Sequence, residues 1–297
     1  MALYMSGVPD TRDRFVPVDD GDMHVAEDGA PGAPAVLLIH GTAASTAWWD
    51  PVVPKLAGAF RVIRIDLLGH GRSSSPASGY DLPAQARRVG AVLDRLGVGQ
   101  VTVVGHSTGG SVATALAEQR PGMVTALALI DIGPSLDAFA GDSLAGRLLL
   151  APLPGRLLWT LRTEGLIRKA LRTAFTRPVD IPDSITRATL GMTHQAVAGT
   201  SRASDDYLRQ QTLPARLAGL GLPVLVIFGT DDRRWRSSSA AAYYDVPGAC
   251  VQLLPGVGHT PMMEAPQTTG QLLLDFAAAA AGHRRKPAAP GKTSDRV

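Results

Sequence analysis

The chain has 297 residues, 45% of them hydrophobic, enough for a sizeable buried core in one large domain or two modest ones. No early stretch joins a basic start, an apolar run and a small-residue cleavage site, and no run approaches the roughly 18 apolar residues of a membrane span; a cytoplasmic setting without a membrane partner is expected. The net charge of +3 resides at the end of the chain, where Arg284, Arg285, Lys286, Lys292 and Arg296 face only Asp295, so residues 282–297 read as a basic, disordered tail and no nucleic-acid partner is expected.

Residues 13–28 supply two leading strands, followed by the short apolar runs AVLLI (35–39) and VIRI (62–65), each ending in a turn or a charge. Gln85 to Leu96 predicts a helix, with Val89, Val92, Leu93 and Leu96 on one stripe and Gly97 ending it. Further buried strands are predicted at VTVV (101–104), ALALI (126–130), VLVIF (224–228) and CVQLL (250–254). Strand and helix alternate, which implies a doubly wound, mostly parallel β-sheet with helices on both faces.

One region breaks the alternation. Residues 133–213 contain no convincing buried strand, and LLWTLRTEGLIRKALRTAF (157–175) has helical periodicity, with Pro152, Pro154, Pro178 and Pro182 marking limits. The expected organisation is therefore a first core part at 1–132, a helical cap at 133–213, a second core part at 214–281 and the tail. Cys250 is the only cysteine, so no internal disulfide or cysteine metal cluster can form, and a buried structural thiol is expected.

The stretch VTVVGHSTGGS runs a buried strand directly into Gly105-His106-Ser107-Thr108-Gly109. A serine on so sharp a strand-to-helix turn presents its hydroxyl clear of the backbone, and the turn brings chain so close that glycine is required two residues to either side. A serine hydroxyl is a weak nucleophile at neutral pH and needs a histidine to take its proton and an acid to orient that histidine. His259, in a loop just beyond the last predicted strand, stands where the sheet's carboxyl ends converge. His24, His194 and His283 lack such placement, and no histidines pair at metal-ligand spacing.

From roughly Val16 to Phe276 the chain resembles the α/β-hydrolase superfamily, on five ordered segments: the HG-x turn His40-Gly41-Thr42, the turn DLLGHGRS (66–73), the G-x-S-x-G turn, the G-x-x-D at Gly229 to Asp232, and GHTPMMEAP (258–266). The resemblance implies an α/β-hydrolase fold with Ser107 as nucleophile, His259 as base and Asp232 as the orienting acid. Asp231 beside it is the second candidate. Asp131, after ALALI, is the third, because some members carry the acid after that earlier strand. The backbone N–H groups of Thr108 and Thr42 become the oxyanion donors, and His40 braces the loop.

A serine at 107 argues against the dehalogenases and epoxide hydrolases of the superfamily, which resemble this chain but usually place aspartate there. Trp48-Trp49 is similar to an aromatic position of perhydrolase- or esterase-like members. The expected activity is hydrolysis of an ester, thioester or lactone of a hydrophobic small molecule, without cofactor or metal. Acyl transfer, elimination or cyclisation of a biosynthetic, polyketide-like intermediate uses the same residues, and a ligand receptor with little turnover is the third reading. Leu148, Leu149, Leu150, Leu157, Leu158, Trp159, Leu161, Leu166 and Phe175 either line a hydrophobic substrate site or dock the cap onto the core. Oligomeric state is left open.

Overall fold

The computed structural model describes residues 11–141 and 144–283; the predicted tail from residue 284 lies outside the described residues. Two leading strands, β1 (Arg12–Val18) and β2 (Gly21–Asp28), form an antiparallel hairpin. They are followed by β3 (Ala35–Ile39), α1 (Val53–Ala57), β4 (Arg61–Ile65), α2 (Leu82–Arg95), β5 (Val101–His106), α3 (Thr108–Gln119) and β6 (Val124–Ile130). Six helices then intervene: α4 (Leu144–Leu150), α5 (Pro152–Thr160), α6 (Glu164–Arg172), α7 (Asp183–Gly191), α8 (His194–Gln210) and α9 (Leu213–Leu220). The chain closes with β7 (Val224–Gly229), β8 (Ala249–Leu254), α10 (Pro261–Glu264) and α11 (Pro266–His283).

The eight strands form one sheet in the order β1-β2-β4-β3-β5-β6-β7-β8, parallel from β4 to β8. Strands such as AVLLI are apolar at every position because both faces are covered. Leu37, Val103, Leu129 and Phe228 enter one core with Val89, Val92 and Leu116 of α2 and α3. The alternate residues Leu38, Val104, Ile130 and Ile227 enter a second core with Leu56 of α1 and Leu273 of α11.

Helix α2 starts three residues earlier than its apolar stripe suggests. Asp81 caps it by accepting the Ala84 N–H at 2.8 Å, and Pro83 fits the first turn, where no intrahelical donor is needed. The Cys250 expectation needs correction: its thiol is exposed. Strand β8 is the edge of the sheet, and its alternating side chains are only partly covered, so an apolar run there does not guarantee burial. Of the helices between β6 and β7, the last ones join the sheet's own core through Tyr207, Leu208, Leu213 and Leu217. Among the described residues no helix is long and apolar enough to cross a membrane.

Candidate active site

The parallel register brings the carboxyl ends of β3, β5, β6 and β7 side by side, pairing Ile39 with Gly105, His106 with Ile130 and Ile130 with Ile227. Ser107 leaves the end of β5 at φ +51° and ψ −128°, a conformation an L-residue keeps only when its surroundings enforce it. Its N–H donates to the Ile130 carbonyl at 2.8 Å and its carbonyl accepts the Gly110 N–H at 2.8 Å. Both flanking glycines are steric requirements: a β-carbon at Gly105 would lie 2.3 Å from the Gly109 oxygen, and one at Gly109 2.3 Å from the Ile39 oxygen.

His259 sits in the loop between β8 and α10, nearly buried, and its Nδ1 lies 2.9 Å from Asp232 Oδ2. Nδ1–H donates to the carboxylate, which leaves Nε2 as the free proton acceptor of the ring. The other oxygen of Asp232 accepts the N–H groups of Arg234 (2.7 Å) and Trp235 (3.3 Å), so the acid is clamped from both sides. Burial works to raise the Asp232 carboxyl, but the charge of His259 and these hydrogen bonds outweigh it, and its pKa falls below the usual value. Ser107 Oγ and His259 Nε2 are not hydrogen-bonded to each other among the described residues, and such bonds are often long before substrate binds.

The three candidate acids separate cleanly. Asp231 accepts its hydrogen bond from the Thr230 hydroxyl at 2.9 Å, away from the imidazole. Asp131 follows β6 at φ +44° and is fully buried, with Oδ1 accepting the Gly229 N–H at 2.9 Å. Donor atoms of Asp131, Asp232 and His259 lie within 4.8 Å of one another. Burial first, and then the negative charge of Asp232, push the Asp131 carboxyl well above its usual pKa. Both effects favour the neutral form of Asp131, whose Oδ2 makes no hydrogen bond among the described residues, while Asp232 is the carboxylate bonded to the ring.

Opposite Ser107 stands the loop after β3. The His40 ring is fully buried; Nδ1–H donates to the Gly41 carbonyl at 2.7 Å and Nε2 accepts the Leu67 N–H at 3.1 Å. Burial lowers its pKa despite the nearby Asp66, so it serves as a neutral brace. The main-chain N–H groups of Thr42 and Thr108 donate to no protein acceptor among the described residues, and their hydroxyls bond to each other at 2.9 Å. That pair ties the loop to the start of α3. Behind it, Asp66 accepts the N–H groups of Thr46 (2.7 Å) and Arg72 (3.0 Å) and the Nδ1–H of His24 (2.7 Å), which assigns His24 to the scaffold.

Three residues make contacts that the sequence reading does not foresee. His106 donates from Nε2 to the His259 carbonyl at 2.8 Å, and burial, reinforced by His259, lowers its pKa to about 3; it is a neutral spacer between the two candidate catalytic residues. Trp48 stacks between His106 and Phe175, with ring centroids 6.4 and 5.8 Å away. Glu264 accepts the N–H groups of Gly258 (3.0 Å) and Thr260 (3.2 Å), on either side of His259, and also those of Thr176 (2.9 Å) and Arg177 (2.8 Å), beyond α6. One buried carboxylate thus joins the helical segment to the histidine loop. A second tie runs from the Thr189 hydroxyl of α7 to the Ala43 carbonyl at 3.0 Å.

A family model described as alpha/beta hydrolase fold matches residues 34–266. The chain belongs to this family. An uncharacterized protein of Mycobacterium tuberculosis is 32% identical to this α/β-hydrolase over 254 residues, covering 80% of this chain and 73% of the relative. A Bacillus subtilis protein with the provisional name 2-succinyl-6-hydroxy-2,4-cyclohexadiene-1-carboxylate synthase is 26% identical over 274 residues, covering 88% of this chain and 97% of its own. Among solved structures, a bacterial membrane phospholipase A superimposes with a TM-score of 0.72 at 28% identity, over 91% of this chain and 87% of that one.

Proposed function

We propose that this α/β-hydrolase cleaves an ester, thioester or lactone bond of a hydrophobic small molecule through an acyl-enzyme on Ser107. The observation that carries the reading is the His259 Nδ1 to Asp232 contact of 2.9 Å, set beside a serine held at positive φ. Ser107 Oγ attacks the carbonyl carbon while its proton passes to His259 Nε2, and Asp232 holds the imidazolium that forms. The oxyanion is received by the N–H groups of Thr42 and Thr108, which donate to no other acceptor among the described residues. Collapse of the intermediate expels the alcohol or thiol, which takes the proton from His259. Water then attacks the acyl carbon and gives its proton to the same nitrogen, which passes it to Ser107 Oγ as the bond to the acyl carbon breaks and the acid leaves.

Residues 133–213 act as the cap in this reading. The Glu264 and Thr189 ties and the Trp48–Phe175 stack fasten it beside Ser107 and support that role. No cofactor takes part in these steps. The test is labelling by a fluorophosphonate: an adduct on Ser107, absent from Ser107→Ala, supports the reading, and labelling that survives in the variant overturns it.

A second reading keeps the site and changes the reaction, and the synthase-named relative supports it because the match spans nearly its whole length. In an elimination His259 would take a carbon-bound proton with no acyl-enzyme. Intact-protein mass spectrometry during turnover in ¹⁸O-water separates the two: hydrolysis gives an acyl adduct and one ¹⁸O in the released acid, elimination neither.

A further inference from the structure

Helix α5 has its apolar surface on the wrong side for a core-facing helix. Gly155 and Trp159 are buried and fix its inner face: a β-carbon at Gly155 would lie 2.2 Å from the Leu149 oxygen, and the Trp159 indole N–H donates to the Met192 carbonyl at 2.8 Å. At 3.6 residues per turn, Leu153 and Leu157 then point to the opposite side, where polar residues are the rule. They are 81% and 67% exposed, and Leu161, one turn further, 65%. Leu148, Leu158 and Leu166 are exposed on the same stretch of chain, so among the described residues six of the nine exposed large hydrophobic side chains fall between positions 148 and 166. Leu157, Leu161 and Leu166, mostly open to solvent, are spent on neither of the two uses the sequence suggests for them, docking the segment on the core or lining a site beneath it.

The charge around them has one sign. Between Arg147 and Arg172 there are six cations and a single acid, Glu164. Arg162 spends its guanidinium on the Leu190 carbonyl and Arg168 on Glu164 and Asp183. Arg147, Arg156, Lys169 and Arg172 are exposed and have no carboxylate partner among the described residues. A leucine ridge with basic flanks matches an anionic lipid surface, where side chains enter the acyl boundary and cations meet headgroup phosphates. A second copy fits less well, because two such faces would bring like charges together.

We propose that the exposed face of α5, with its basic flanks, docks this protein peripherally on an anionic bilayer. The proposal departs from the expectation that no membrane takes part, and it is independent of the chemistry at Ser107. The experiment is flotation of the full chain with vesicles of phosphatidylcholine alone and of phosphatidylcholine mixed with phosphatidylglycerol. The wild type is expected to float with the mixed vesicles, to bind them about tenfold better than phosphatidylcholine alone, and to be released by raised salt. L153S/L157S/L161S, all at exposed positions, is expected to keep its circular dichroism and melting temperature and to lose binding by more than about tenfold. R147E/R156E/K169E is expected to lose the preference for the anionic lipid. Absence of binding to either vesicle overturns the proposal, as does equal binding by the leucine variant, which would place the contact elsewhere. A wild-type dimer in solution that the leucine variant abolishes, without vesicle binding, would assign the ridge to self-association.

Discussion

The carboxyl edge of the sheet and the helical segment beside it use polar groups in opposite ways. At the edge the candidate catalytic groups are held by bonds from neighbouring strands and loops: the Ser107 N–H by Ile130, one Asp131 oxygen by Gly229, and Asp232 by Arg234, Trp235 and His259. Around α5 the leucines are outside, and Arg147 and Arg156 have no carboxylate partner among the described residues. Besides the apolar side chains it lends to the core, such as Ile167, Leu171, Phe175 and Ile185, the segment meets the edge through bonds to main chain from Glu264, Thr189 and the Thr260 hydroxyl, which reaches the Ala174 carbonyl. Under the two proposals, preorganisation for chemistry belongs to the sheet and exchange with the surroundings to the segment.

The comparison is tested first where it asserts most. Ser107→Ala is expected to lower kcat on the order of 10⁵-fold without unfolding, as loss of a triad serine does elsewhere. Asp232→Asn, which leaves His259 with the wrong tautomer, is expected to cost about 10⁴-fold, while Asp231→Asn stays near wild type. Steady-state kinetics on a soluble ester decides both. A severe Asp231→Asn with a mild Asp232→Asn would mean that the bonded pair seen here is not the working one.

Glu264 is where the two regions meet, so its replacement sharpens the comparison. Glu264→Gln keeps the shape but turns an amide N–H₂ toward one of the four main-chain donors and removes the charge. A stability loss of about 2 kcal/mol is expected from denaturant unfolding. Because Gly258 and Thr260 flank His259, kcat is expected to fall about tenfold as well. A stability loss with kcat unchanged would make Glu264 a fastener of the segment alone.

How far these features are legible in the sequence follows from the physics of each. The strands are legible because both faces of the sheet are covered, which forces uninterrupted apolar runs such as AVLLI. Ser107 is legible because Gly105 and Gly109 each touch a carbonyl oxygen, a contact that no other residue tolerates. The choice among Asp131, Asp231 and Asp232 is not, since it depends on β6 lying beside β7 and on which way a loop carboxylate turns. Glu264 stands in the legible GHTPMMEAP segment, but its bonds to Thr176 and Arg177, like the Thr42–Thr108 hydroxyl pair, join residues far apart in sequence, which leaves no spacing to read. Cys250 and the leucines of α5 mislead for one reason: apolar periodicity assumes burial, and neither the edge strand nor this helix face is covered.

Asp131 carries the smallest expected effect on rate and the most specific one on stability. Its carboxyl accepts from Gly229 N–H on one oxygen; the other has no hydrogen-bond partner among the described residues, and in the neutral form that burial favours it would carry a proton toward Asp232. Asparagine reproduces both functions, so Asp131→Asn is expected to keep kcat within about tenfold of wild type. Leucine reproduces neither: it strands the Gly229 N–H, and Asp131→Leu is expected to lose about 1–3 kcal/mol. The pH dependence of stability separates a neutral acid from an ionised one. Above the usual aspartate pKa the unfolded chain releases the Asp131 proton while the native state retains it, so this residue's contribution falls as pH rises toward its raised native pKa. Asparagine has no proton to lose. The melting temperature of Asp131→Asn relative to wild type should therefore climb as pH is raised from about 4 toward neutrality. A flat difference, or one that falls with pH, would mean that Asp131 is ionised in the native protein and repels Asp232 rather than bonding to it.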